Sequence, residues 1–246
     1  MNKKLDWIKK DFPEVFTQQE GYDDHIIEVS CHYKINEKEG FKEPCIHILN
    51  TLNALTKEFA LYIEHTSNED HSAHDLPWWY NEAPLTGFVL AALVRQFDAI
   101  ILQDFETDKG KRPDLWALFG DKSILFETKM GRDIKLAKGQ YLETSKNTYK
   151  MAINQIKGYS KDSIASADYW CVLYFVAHEF KELPDKQEII NVNIGFSKWE
   201  NFNKEGLPFH CKFIIDTPKT AQCKYKNNKG KYYPLCHLWK NIGVID

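Results

Sequence analysis

Apolar residues recur along the chain with two periods, and the switch between them marks where helix should give way to strand. Over 41–64, Ile46, Leu49, Leu52, Leu55, Phe59 and Ile63 keep close to the three-to-four spacing of one helical face. A further helix is read over 3–16, while 20–39 is charged and fits neither period. His65–Tyr80 is polar and ends in Pro77-Trp78-Trp79-Tyr80, whose aromatics would pack this part of the chain onto the rest. At Asn81-Glu82-Ala83-Pro84 an asparagine cap and an early proline open a helix. Leu85, Phe88, Val89, Ala92, Leu93 and Gln96 continue it at helical spacing. From there the period shortens. Strands are predicted at 98–105, 113–119 and 122–130, then a basic loop, a helix over 147–160 and the β-prone run 169–176. Further strands are expected near 189–197 and 209–216.

The middle of the chain therefore has the order αβββαβ, an α/β fold with a central mixed sheet flanked by helices. Residues 1–80 read as a mainly helical N-terminal subdomain, and 81–246 as the core with C-terminal strands.

Composition narrows the class. The chain has 246 residues, 43% hydrophobic and 27% charged, as an ordered globular protein does. No apolar run approaches the roughly 18 residues needed to span a bilayer. No apolar segment follows Lys3 and Lys4, so the expectation is a cytoplasmic protein without a membrane partner. The six cysteines include no C-x-x-C pair and read as free thiols. Cys31-His32, Cys45-x-His47, His210-Cys211 and Cys236-His237 match no zinc spacing. His178-Glu179 lacks the second histidine of an H-E-x-x-H helix, and neither a phosphate-cradling glycine loop nor a G-x-S-x-G elbow occurs.

A net charge of −3 conceals an asymmetry. Residues 1–84 hold 8 Lys/Arg against 16 Asp/Glu, and residues 204–240 hold 8 lysines against Glu205 and Asp216. A basic segment of that kind suits a phosphate-facing surface, and equally a solvated one.

The chemistry concentrates in Arg112-Pro-Asp-Leu-Trp-Ala-Leu-Phe-Gly-Asp-Lys-Ser-Ile-Leu-Phe-Glu-Thr-Lys129. Two apolar runs flank Gly120-Asp121, a dipeptide suited to a two-residue hairpin turn. That turn sets Phe119 opposite Lys122 and Asp114 opposite Glu127, with Cβ atoms about 4.5–5.5 Å apart. Lys129 falls on the same face. Opposed like charges are destabilising, and a divalent cation shared by both would compensate. Mg²⁺ takes oxygen ligands, usually one or two carboxylates plus waters and phosphate. Lys129 could then orient a water or neutralise charge developing on a phosphate. The bland alternative has Asp114 capping a strand and Glu127 and Lys129 facing solvent at a sheet edge. Both runs are apolar on both faces, which favours covered, central strands.

Pro113-Asp114, twelve intervening residues and Glu127-Thr128-Lys129, within an αβββαβ order, resemble the signature and common core of the PD-(D/E)XK nuclease superfamily. The resemblance spans roughly residues 81–178. It implies a restriction-endonuclease-like core whose catalytic residues would be Asp114, Glu127, Lys129 and the helix residue Glu82. Asp114, Glu127 and Glu82 would hold Mg²⁺, with Mn²⁺ as a substitute. Gln155-Ile-Lys-Gly-Tyr159 resembles the Q-x-x-x-Y element of RecB-like members, where those side chains help to hold substrate. Lys111, Arg112, Arg132, Lys135, Lys138 and Lys146 flank the site in sequence as candidate phosphate contacts. Lys224 and Lys226, in an aromatic-rich stretch around Asn-Asn-Lys-Gly, would form a hairpin that touches the DNA backbone.

The expectation is a Mg²⁺-dependent nuclease that hydrolyses DNA, by analogy a restriction or defence endonuclease. The alternatives are a RecB-like exonuclease or repair nuclease, and a non-catalytic module binding nucleic acid or protein. Many enzymes that cut both strands act as homodimers, but no dimer surface is legible in the sequence.

Overall fold

A computed structural model of the protein describes residues 15–22, 25–33, 42–65, 76–79, 81–95, 99–106, 110, 112–134, 140–159, 167–185, 187–188, 207–215, 222–223 and 230–245. Two strands come first, β1 (Val15–Tyr22) and β2 (His25–Tyr33), followed by helix α1 (Lys42–His65). A 3₁₀ turn, Pro77–Trp79, leads to α2 (Glu82–Val94), β3 (Ala99–Gln103), β4 (Leu115–Phe119) and β5 (Lys122–Ile134). Then come α3 (Gln140–Tyr159), β6 (Tyr169–Phe180), β7 (Leu207–Ile215), β8 (Gln222–Cys223) and β9 (Lys231–Val244). One sheet in the order β1-β2-β7-β9-β6-β5-β4-β3 takes in the described strands, with β8 paired to β9 beside it. Its β5–β6 pair is parallel and its other pairs antiparallel.

The stretch α2-β3-β4-β5-α3-β6 has the order expected from the hydrophobic pattern. The parallel β5–β6 pair needs a long crossover, and α3 supplies it. The N-terminal region departs from expectation. Residues 15–33 are not part of a mainly helical subdomain but two strands of the shared sheet, β2 pairing with β7. Charged residues such as Glu20 and Glu28 blurred the alternation there. The helix expected over 3–16 lies outside the described residues up to residue 14, as does the strand expected near 189–197.

Each sheet face has its own core. On one face Leu115, Ala117, Phe119, Ile124, Phe126, Cys171, Leu173 and Phe175 meet Leu85, Val89, Ala92 and Leu93 of α2 and Ile48, Leu55 and Phe59 of α1. Helix α2 is sandwiched between sheet and α1, with the Phe88 ring edge-on to Phe59 and Tyr62. A covered helix of this kind is apolar all round. On the other face Leu125, Trp170, Val172, Tyr174 and Val176 meet Tyr149, Ala152, Ile153, Ile156 and Tyr159 of α3. All twelve residues of β6 are buried, as a strand covered on both faces requires.

Two polar knots hold the frame. Asp168 Oδ2 accepts from both Ser123 N (2.8 Å) and Ser123 Oγ (2.9 Å), while Asp168 N donates to Ser123 O (3.1 Å). This fastens the start of β5 to the start of β6. At the far end of β6, buried Glu179 accepts from Tyr233 Oη (2.7 Å) and lies 2.8 Å from Lys231 Nζ. Trp78 is fully buried, stacks edge-on against Phe59 and donates Nε1–H to Tyr233 O (3.0 Å). Trp78 of the expected aromatic run thus ties α1 to the sheet.

Candidate active site

The turn behind the site is local. Gly120 has φ 59°, the positive value that the first central residue of a type II′ turn adopts. Phe119 faces Lys122 and Leu115 faces Phe126, the expected register. β4 stops at Leu115, whereas β5 runs on to Ile134. One step past the last β4–β5 pair, the same register sets Asp114 beside Glu127. Beyond that point the β4-side edge of β5 has lost its strand partner. Asp114 fills the first vacancy, its Oδ2 accepting from Thr128 N at 2.6 Å. The strand-capping role and the acid-pair role thus belong to the same residue.

The β3–β4 register adds an acid the sequence analysis missed. Gln103 faces Leu115, and one step on, Asp104 N donates to Asp114 O at 3.2 Å. Asp104, Asp114 and Glu127 therefore form a row across three adjacent strands. Asp104 has φ 48°, in the left-handed region that Asp and Asn tolerate better than most residues.

Glu82 arrives from another direction, in the first turn of α2. Asn81 caps that helix by position but makes no side-chain cap bond. The third helical residue is Pro84, which has no N–H for the Asn81 side chain to reach. Asn81, Glu82, Thr86, Gln103, Asp104 and Asp114 line a cleft of about 370 Å³.

Lys129 bridges the acids. Its Nζ lies 2.7 Å from Glu127 Oε1 and 3.0 Å from Glu82 Oε1. The Glu127 side chain is 0% exposed, and its Oε2 has no hydrogen-bond partner among the described residues. Burial, then the charge of Asp114, pushes the Glu127 carboxyl up to about 7, with Lys129 opposing the rise. Burial also raises Asp114, against the Thr128 N–H and Lys129, while Glu82 and Asp104 add to the rise. For Lys129 burial favours the neutral amine, but Glu127 and Glu82 outweigh it and hold the ammonium above the usual lysine range.

These residues suit an oxygen-ligated divalent cation. Two neighbouring carboxylates are what Mg²⁺ commonly takes from a protein, with waters completing the shell, and the free Glu127 oxygen is a buried acceptor in need of a partner. Glu82 is turned to Lys129, and among the described residues no three His, Cys, Asp or Glu side chains are grouped as ready-made metal ligands.

The other candidates divide. Tyr159 sits on α3 over the same sheet face, and Gln155 Nε2 donates to its hydroxyl. Burial raises the Tyr159 hydroxyl, and the charges of Glu127, Lys129 and Asp114 all reach it. Arg112 is exposed and paired with Glu106 Oε2 at 3.0 Å, a contact weak enough in water to be exchanged for a phosphate. Lys111, Lys224 and Lys226 lie outside the described residues, as do the side chains of Arg132 and Lys146 and the whole of Lys135 and Lys138. The bases of the expected hairpin do pair, Cys223 with Lys231, and Gly230 has φ 79°. Cys171 and Cys236 are buried and joined in no disulfide, as expected. No helix among the described residues is long and apolar enough to cross a membrane.

Compared with protein-family models, with curated proteins and with solved structures, the chain matches none.

Proposed function

We propose that this chain is a divalent-cation-dependent nuclease of the PD-(D/E)XK type that hydrolyses phosphodiester bonds of DNA, in the first instance as an endonuclease. One observation carries the reading. A carboxylate with no solvent exposure, Glu127, lies beside Asp114 with one oxygen unpartnered and a lysine 2.7 Å from the other. A purely structural strand has no use for that arrangement, since an apolar residue would avoid the desolvation of the acid.

Asp114 and Glu127 would hold the cation, and Glu82 would join them when released from Lys129. Bound there, Mg²⁺ would lower the pKa of a coordinated water and neutralise charge gathering on the phosphate. Asp114 is kept in place by the Thr128 N–H, so its carboxylate is positioned before any ligand arrives. Lys129 would hold the attacking water in line or donate to a phosphate oxygen. Tyr159, fixed by Gln155, would border the substrate on the α3 side. The Gln155–Tyr159 contact also favours a second reading, a RecB-like exonuclease or repair nuclease with the same chemistry.

The test incubates the purified protein with supercoiled plasmid and with linear DNA in Mg²⁺, Mn²⁺ or EDTA. Asp114→Asn and Lys129→Ala serve as controls. Metal-dependent nicking of the closed circle, lost in both variants, is the expected result. Cleavage of linear DNA alone would select the exonuclease. Neither cleavage nor a thermal shift with Mg²⁺ would leave a non-catalytic binding module.

A further inference from the structure

The ammonium of Lys129 stands where a cation would be wanted, in contact with Glu127 and Glu82 at once. We infer that Lys129 is the built-in counter-ion of the cation-free protein, and that a divalent cation enters by exchange with it. The inference rests on the cation site just proposed and adds how that site is kept and how it is switched.

The argument begins with Glu127. A carboxylate with no exposed surface is tolerated only when paired or protonated. Lys129 is the cation in contact with it, and the same ammonium reaches across to Glu82 on a different element. One positive charge thus joins the first turn of α2 to the middle of β5. Asp114 is occupied elsewhere, with Oδ2 on the Thr128 N–H. A divalent cation at Asp114 and Glu127 would carry more charge than the ammonium and would meet it at short range. Even with the cation on the unpartnered Oε2, two positive charges would share one buried carboxylate at short range and repel strongly. The lysine therefore leaves Glu127 as the cation arrives, and its flexible four-carbon stem lets it do so without movement of β5. The side chains that can follow it are those with exposure, Lys129 at 21% and Glu82 at 38%. Released, the amine would turn toward the cleft that its neighbour Glu82 lines with Asp114. Cation binding and readiness of Lys129 are then one event, and the free site is neither empty of positive charge nor armed.

Chemical labelling separates this from the parent reading. The wild-type protein and Glu127→Gln are treated with a limiting amine acylating agent at pH 8.5, with and without Mg²⁺, and Lys129 modification is measured by mass spectrometry. Calorimetry with Mg²⁺ runs in parallel. In the wild type Mg²⁺ should raise Lys129 labelling several-fold, because an amine released from its two carboxylates is open to the reagent. In Glu127→Gln the effect of Mg²⁺ should vanish. Heat of binding with unchanged or reduced Lys129 labelling would overturn the exchange and leave the cation site standing. No heat of binding at all would overturn both.

Discussion

Asp114 Oδ2 accepts a 2.6 Å hydrogen bond from the backbone N–H of Thr128, at the point where β5 loses β4 as a neighbour. The acid therefore stabilises the strand it is meant to serve. Relief of repulsion is not the whole consequence of removing it. Asp114→Ala leaves the Thr128 N–H without its acceptor, which should destabilise the cation-free protein by about 1–3 kcal/mol. Asp114→Asn retains an acceptor oxygen and should unfold near the wild-type midpoint while losing Mg²⁺ affinity. Urea unfolding of the two variants side by side checks this. Equal stability would mean that the hydrogen bond contributes nothing.

Glu127 makes stability depend on pH in an unusual sense. Its folded carboxyl titrates at about 7 against an ordinary 4.5. Between those values the native protein holds a proton that the unfolded chain has released, so stability falls as pH rises. The loss is complete above pH 7 and on the order of 3 kcal/mol. Glu127→Gln should remove most of this decline between pH 4.5 and 7, leaving the part that raised Asp114 contributes, and saturating Mg²⁺ at pH 8 should restore stability in the wild type alone. Denaturant melts across that range decide it, and a wild-type curve that is flat or rises would contradict the assignment.

Asp104 offers a milder lever. Its charge helps to hold the Asp114 carboxyl high, and at φ 48° asparagine is, glycine apart, a substitute that the backbone accepts well. Asp104→Asn should lower the Asp114 pKa and leave the melting temperature unchanged. Carboxyl-carbon NMR titration of Asp114 in the two proteins measures this, and an unmoved midpoint would show that the two acids do not interact.

Gly131 lies two residues past Lys129 on the same face. A Cβ there would overlap the hydroxyl of buried Tyr174, whose Cα faces Lys129 across the β5–β6 pair. Gly131→Ala should destabilise by about 1–3 kcal/mol, the usual effect of overpacking. Tyr174→Phe in the same chain should recover part of the loss, because the ring carbon behind the hydroxyl remains close. A double-mutant cycle with no coupling would refute the clash.

The separation between local and long-range information runs through the site itself. Asp114, Glu127 and Lys129 were legible in the sequence because a two-residue turn dictates the register on both sides of it. Strand alternation then puts the third residue on the face of the first two, and the structure keeps that register. The central position of both strands was legible too, from apolar residues on both faces. Asp104 was not, because nine residues separate it from Asp114 and give no turn signal from which to count. Nor was the bridge from Lys129 to Glu82, which depends on how α2 lies against the end of the sheet. β1 and β2 escaped notice because charged residues such as Glu20 and Glu28 blur their alternation, and the strand that anchors β2 to the sheet, β7, lies far along the chain.

By itself the sequence determined which residue types stand at which step of a hairpin, since steric rules acting over a few bonds settle that. Only the tertiary structure decided which of those acids is buried, which is capped and which holds the lysine. Burial and charge pairing arise from elements distant in the chain, and packing alone brings those together.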